Sequence, residues 1–284
     1  MSGFSSQWLG LREPVDHVSR NPDVQNAMLE GLRQRHGEAL TSLRIIDLGC
    51  GSGSNLRALA PLFGKEQHWT LVDHDAELLA VAKTQIRQWA DSTVNETADQ
   101  LMVQRGHQTL TICFRQADLN RDLQAILADG DYDLVTAAAL FDLISPDWIA
   151  RFCDLLEVPF YTVLTYDGRS VWQAPAAADE AVLAGFHQHQ QTDKGFGVAA
   201  GPDAANVLAQ CLKTKGWIVV RGDSTWYLDG THPELLRLLH EGMAQAAHEM
   251  GSLSKSQLTD WLASREANAQ CQVGHEDTFA IPRR

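Results

Sequence analysis

Short apolar runs alternate along the chain with longer stretches of helical periodicity. Leu43-Arg44-Ile45-Ile46-Asp47-Leu48 reads as a strand closed by glycines. From Ser54 a helix follows, with Leu56, Leu59, Ala60 and Phe63 on one face, and Pro61 should kink or end it. Trp69–Asp73 is a second strand. Asp75 then caps a helix carrying the stripe Leu78, Leu79, Ala82, Ile86 and Trp89. A polar connection over 91–108 leads to the alternating strand Thr109–Phe114, and a short helix lies near 123–127. Strands four and five are Tyr132–Ala137 and Phe160–Thr165, separated by a helix opening at Pro146. Five such alternations predict a parallel sheet covered on both faces.

Before this core, residues 1–40 are polar and helix-like, with Asn21-Pro22-Asp23 opening a helix through Leu32. After it the rhythm changes. A loop-rich stretch from Asp167 to Pro202 precedes a helix capped by Asp203 and stopped by Gly216. Trp217–Leu228 reads as strand six, helices start at Pro233 and at the Ser254/Gln257 capping box, and Gln272–Ile281 is a last strand. With no linker or repeat, residues 1–284 form one decorated α/β domain. It divides into a cap (1–40), a ligand-binding half (43–165) and substrate-side insertions with the last strands (166–284).

The 284 residues are 44% hydrophobic and 21% charged, ordinary globular values. The net charge of −13, from 23 basic and 36 acidic side chains, disfavours nucleic acid and anionic membranes as partners. The apolar stretch around Ala137–Phe141 is too short to span a bilayer, and Met1–Ser6 lacks the start of a signal peptide. Five scattered cysteines without a C-x-x-C pair fit neither a disulfide framework nor structural zinc. A cytoplasmic protein is expected.

The chemistry concentrates at Asp47-Leu48-Gly49-Cys50-Gly51-Ser52-Gly53. A glycine turn between a strand and its helix presents backbone N–H groups to a polar or anionic ligand. A dinucleotide fingerprint counted from Gly49 and Gly51 needs a third glycine at position 54, where Ser54 stands. That substitution counts against the rival reading of a nicotinamide-dependent oxidoreductase. Asp47, at the strand end, is placed to meet an ammonium.

This run resembles motif I of the class I S-adenosylmethionine (SAM)-dependent methyltransferases, and the likeness continues in order over about 43–165. The resemblance implies a seven-stranded, mostly parallel, doubly wound sheet with SAM as cofactor. It implies that Asp73 accepts from the ribose hydroxyls, that His74 lies against adenine, and that Asp118 and Leu119 of Gln116-Ala117-Asp118-Leu119 read and pack the adenine. Gly49, Gly51 and Gly53 would line the ligand. The alternative for these residues is plain architecture, a tight connection with Asp73 and Asp118 as helix caps.

The family builds its acceptor site after strands four and five. Here those segments carry Phe141 and Asp142, then Tyr166 and Asp167, followed by His187 and His189 on what reads as an extended segment. Asp142 is the candidate general base or the group that holds an amine acceptor, with a polar strand end facing solvent as the equal alternative. Phe141, Tyr166, His187 and, from the cap, Arg20 are candidates for the acceptor's contacts; Arg20 and His17 could also meet the SAM carboxylate, and an exposed helix face explains both equally well. The Asn/Asp-Pro-Pro-Tyr/Phe tetrapeptide of many amino-group methylases is absent, as are an arginine-methyltransferase glutamate pair and a clear metal trio. These absences favour an O or N atom of a small molecule as acceptor, without metal. A catalytically silent SAM-binding scaffold is a further alternative. The stripe Leu235, Leu239, Met243, Ala246 and Met250 is either core or a homodimer face.

Overall fold

In the computed structural model, described for residues 5–266 and 270–283, helices α1 (Ser6–Ser19) and α2 (Pro22–His36) precede the first strand. Residues 1–4, part of the N-terminal stretch read above, lie outside the described residues. The Asn21 side chain caps α2 through the Asp23 and Val24 N–H groups, with Pro22 at the first turn where its missing donor costs nothing. The expected alternation follows: β1 (Ser42–Leu48), α3 (Ser54–Leu59), β2 (Glu66–Asp73), α4 (Ala76–Trp89), then the hairpin β3 (Ser92–Glu96) and β4 (Gln100–Arg105). β5 (Gln108–Gln116), α5 (Leu119–Ala128), β6 (Leu134–Ala138), α6 (Pro146–Leu155) and β7 (Phe160–Trp172) complete this half. The remainder is α7 (Asp179–Gln190), α8 (Ala204–Thr214), β8 (Ile218–Asp223), β9 (Trp226–Leu228), α9 (Pro233–Glu249), α10 (Lys255–Glu266) and β10 (Cys271–Ile281).

Among the described residues the sheet has ten strands, not seven, in the order β3-β4-β5-β2-β1-β6-β7-β10-β8, with β9 paired to β10. The five central strands β5-β2-β1-β6-β7 are parallel, and β10 runs antiparallel between β7 and β8. The extra strands have two sources. The polar connection 91–108 folds into a hairpin that prolongs one edge; β3 is exposed throughout, while Leu101 and Val103 of β4 are buried. The single expected strand over 217–228 breaks at Ser224-Thr225 into β8 and β9.

Successive residues of the central strands face opposite cores, as the period of two requires. Ile45, Leu71 and Leu134 join one core, and Ile46, Val72 and Val135 the other. Helices α2, α3, α9 and α10 cover the first face; α5, α6 and α8 cover the second. The α9 stripe is core: Leu235, Met243 and Ala246 are buried within the molecule, so it forms no free homodimer face.

Two expectations change. The stretch 167–202 is less loop-rich than its composition suggests, because β7 runs on to Trp172 and α7 follows. Phe141, proposed against the acceptor, is fully buried in the second core. Its ring lies 5.3–6.3 Å from those of Trp148, Phe152 and Phe160. A strand-end position adjacent to the site placed it correctly in the chain and on the wrong side of the sheet. Phe141→Ala should therefore cost about 3–5 kcal/mol in urea unfolding, the usual loss for a truncated core aromatic. It should leave ligand affinity intact well below the melting transition; a loss under roughly 1 kcal/mol would contradict the core assignment.

Candidate functional site

The three glycines of the first turn all have left-handed backbone, with φ of 65° at Gly49, 52° at Gly51 and 77° at Gly53. Gly51 matters most. A Cβ there would sit 3.3 Å from Leu9 Cδ1 of α1, in a conformation that side chains rarely adopt. The turn is braced from behind by Asp73, whose Oδ2 accepts from the Gly51 N–H at 2.8 Å while Oδ1 accepts from the Asp75 N–H at 3.0 Å. His74 Nδ1 lies 3.2 Å from the same carboxylate.

Asp47 ends β1 with no exposed surface. Its Oδ1 accepts from Asn55 Nδ2 at 2.7 Å, and its Oδ2 has no partner. Asn55 also donates to Thr136 Oγ1 at 3.1 Å, and that hydroxyl donates to the Tyr161 carbonyl at 2.8 Å. Burial raises the Asp47 pKa to about 7, against the opposing pull of Asn55 and Arg20. From the end of α1, Arg20 donates to Asn55 Oδ1 at 2.9 Å and faces the Tyr161 hydroxyl without closing a bond to it; Arg20 Nε is buried and unpartnered. Arg20 therefore stands at the Asp47 end of the site, one of the two positions its sequence allowed.

α1 lies across this end of the sheet. Glu13 pairs with Arg57, which also donates to the Ser52 carbonyl at 2.9 Å and Gln85 at 2.7 Å, and His17 Nε2 meets Ser54 Oγ at 3.0 Å. Leu9, Glu13, His17 and Arg20 recur at helical spacing, so one face of α1 is given to the glycine turn and α3. At the next strand ends, Asp73 stands in register with Gln116, which donates to the His74 carbonyl at 3.0 Å. This brings Asp118 and Leu119 to the same edge. Asp118 is exposed and caps α5 through the Asn120 N–H, while Leu119 is buried in the second core.

A second group lies beyond β6 and β7. Asp142 sits in a 3-10 turn, Phe141–Leu143, 8% exposed, with its Oδ1 unpartnered. Burial raises its pKa to about 6, opposed by its own backbone N–H, Arg12 and the Tyr166 N–H. The Tyr166 hydroxyl lies 3.1 Å from His187 Nε2 and 3.3 Å from Ser170 Oγ. His187 and His189 are on helix α7, not an extended segment, so two residues apart they diverge. His189 turns instead to Glu249, 3.1 Å away, and burial keeps the His187 pKa below its ordinary value. Among the described residues no three His, Cys, Asp or Glu side chains are grouped to hold a metal.

Several residues here carried no signal in the sequence. His275 pairs with Tyr166 across β10, and its ring is 4.8 Å from that of Trp226. Burial takes its pKa down to about 3. Trp226 Nε1 donates to Asp16 Oδ1 at 3.0 Å, and Arg12 both pairs with Asp16 at 2.8 Å and lies 4.9 Å over the Trp226 ring. Only Asn55, directly after the glycine turn, had a position that could have drawn notice.

Residues 45–106, which hold the glycine turn, Asp73 and His74, match the family model described as a methyltransferase domain. Over that segment the chain is similar to a methyltransferase domain, in keeping with the S-adenosylmethionine cofactor that the glycine turn implies. No curated relative matches the sequence. Solved structures similar to this chain include a SAM-dependent methyltransferase from Thiobacillus denitrificans in complex with S-adenosyl-L-homocysteine (SAH), at 15% identity over 99% of each chain and a TM-score of 0.46. A cyclopropane-fatty-acyl-phospholipid synthase-like protein from Lactobacillus casei has 16% identity over 96% of this chain and 99% of its own, with a TM-score of 0.49. Magnesium protoporphyrin IX methyltransferase from Synechocystis has 14% identity, covering 79% and 80%, with a TM-score of 0.42. At such distances these likenesses say nothing about the acceptor.

SAM fits the residues present. Its ammonium needs a carboxylate oxygen, and the buried Asp47 Oδ2 is unpartnered. If the ammonium meets Asp47, it selects the ionised carboxylate, and binding should release a proton and strengthen as pH rises through about 7. The sign for the free protein is opposite. A carboxyl with a raised folded pKa stabilises fully below its ordinary value near 3.9, and that stability is lost as pH rises through about 7. Calorimetry of SAH in buffers of different ionisation enthalpy, between about pH 6 and 8, measures this. Affinity flat with pH and no proton release would refute the assignment, and Asp47→Asn should abolish both effects.

Proposed function

We propose that the protein transfers the methyl group of SAM to an O or N atom of a small-molecule acceptor, with Asp142 as the base or as the group that orients the acceptor. The observation that carries this is Asp142 itself: a buried carboxylate with an unpartnered oxygen and a pKa near 6, facing the backbone of Tyr166. Above that pH it is ionised and able to take a proton, close to the working range an efficient base requires.

The cofactor supplies an activated methyl on sulfur, so the protein's share is alignment and proton removal, and alignment alone is worth on the order of 7–11 kcal/mol. In this reading the glycine turn and Asp47 hold the amino-acid part, with Arg20 beside its carboxylate. Asp73 takes the ribose hydroxyls in addition to its two backbone N–H groups, and His74, Asp118 and Leu119 border the adenine. Tyr166 and His187 line the acceptor side. Tyr166 keeps its proton, since burial pushes its pKa up, and so acts as a hydrogen-bonding wall.

Two substitutions test the halves separately. Gly51→Val should abolish SAH binding in calorimetry, because it forces a branched side chain onto left-handed backbone against Leu9. Wild-type affinity in that variant would overturn the cofactor site. Asp142→Asn should keep SAH affinity and lose about 10²–10⁴-fold in turnover, with the wild-type rise of kcat/KM through about pH 6 gone. A loss confined to KM would mark a positioning role, and unchanged kinetics would remove Asp142 from the site.

A further inference from the structure

Asp277, in the last strand, has no exposed surface and no place in the machinery described above. Both of its oxygens are used. Oδ1 accepts from the Leu164 N–H and Oδ2 from the Asn21 N–H, each at 2.8 Å. These two donors belong to opposite parts of the site.

Leu164 lies inside β7 with φ of 59°, a left-handed conformation unusual for a side-chain-bearing residue. There the β7–β10 register slips, since only Asp277 stands between Glu276 and Thr278 while Val163 and Leu164 stand between Thr162 and Thr165. Such a bulge reverses which face later residues address. Tyr161 and Val163 face the first core before it, and Leu164 and Tyr166 face the same core after it. Without the bulge, Tyr166 would turn to the other side of the sheet, away from His187. Asn21 follows Arg20 directly, at the junction of α1 and α2, so its bond to Asp277 sets where Arg20 begins.

We propose that Asp277 is a positioning residue for methyl transfer, tying Arg20 at the cofactor end to Tyr166 at the acceptor end through its two backbone hydrogen bonds. An acceptor-only carboxylate suits this task; an amide would set an NH₂ donor against one of the two N–H donors. The Arg20 arm rests on the cofactor reading above.

The test uses the full chain with SAH as probe, well below the melting transition. Asn21→Ala keeps the backbone N–H and should bind SAH within about twofold of wild type, whereas Asn21→Pro removes only that donor in addition. Proline tolerates the Asn21 φ of −71°, so the variant should fold, and its Kd should rise about tenfold, or about 1.4 kcal/mol. In an Arg20→Ala background the Ala-to-Pro difference should vanish, which a merely structural effect would not do. For the acceptor arm, Asp277→Asn should lose the Tyr166–His187 hydrogen bond, read from the ¹⁵N shift of His187 Nε2, while Asn21→Pro should keep it. Equal SAH affinity in the two Asn21 variants, a difference that persists without Arg20, or an unchanged His187 signal in Asp277→Asn would each overturn the inference. If Asp277→Asn does not fold, the Asn21 pair still decides. Wild-type protein that binds no SAH would overturn the cofactor reading and this inference together.

Discussion

Burying a carboxylate in a protein interior is costly unless its oxygens find donors, and that constraint organises this molecule around Asp47. One oxygen is satisfied by Asn55, and Asn55 in turn reaches Thr136, whose hydroxyl bonds the Tyr161 carbonyl. Asp47, Thr136 and Tyr161 stand abreast on three adjacent parallel strands. The polar row therefore crosses the sheet at the level where the strands end and the ligand-binding crevice of an open α/β sheet begins. The second oxygen is left without a donor, and the proposed reading gives it to the ammonium of the cofactor.

The helices of the N-terminal cap respond to the same constraint. Arg20 adds positive charge to the row, and Arg57, itself nearly buried, is neutralised by Glu13 and saturated by Ser52 and Gln85. Polar contacts, with Leu9 beside them, thus hold this face of α1 to the glycine turn. Such contacts fix direction more sharply than burial does, because a hydrogen bond weakens steeply off its axis.

The central fold was legible because its signals are local. Strand runs such as Leu43–Leu48, the caps at Asn21 and Asp75 and the breaker Pro61 act within a few residues of themselves. The glycine turn was legible for the same reason, as were Asp47 and Asp73 beside it. What escaped depends on partners distant in sequence. The β3–β4 hairpin looked like a polar connection, since every residue of β3 faces solvent and only Leu101 and Val103 report a buried side. Phe141 was misplaced because one residue's shift at a strand end exchanges the two cores. His275, Trp226, Asp16 and Asp277 meet the site through β9, β10 and α1, from opposite ends of the chain, and no spacing rule links them.

α1 also bears on Trp226 through Asp16 and Arg12, at the acceptor side, while its other contacts bear on the glycine turn. A helix touching both proposed ligand sites would make them thermodynamic neighbours. With SAM at the glycine turn and the acceptor on the Trp226 side, as proposed, whatever free energy SAM spends or gains in settling this helix would be felt by the acceptor as a change in its own affinity. Reciprocity demands that the acceptor return the same factor to SAM. The product cofactor, lacking the methyl and its positive charge, would settle the helix by a different amount. In the proposed reading the same lever would set how readily spent cofactor leaves once the acceptor has been modified.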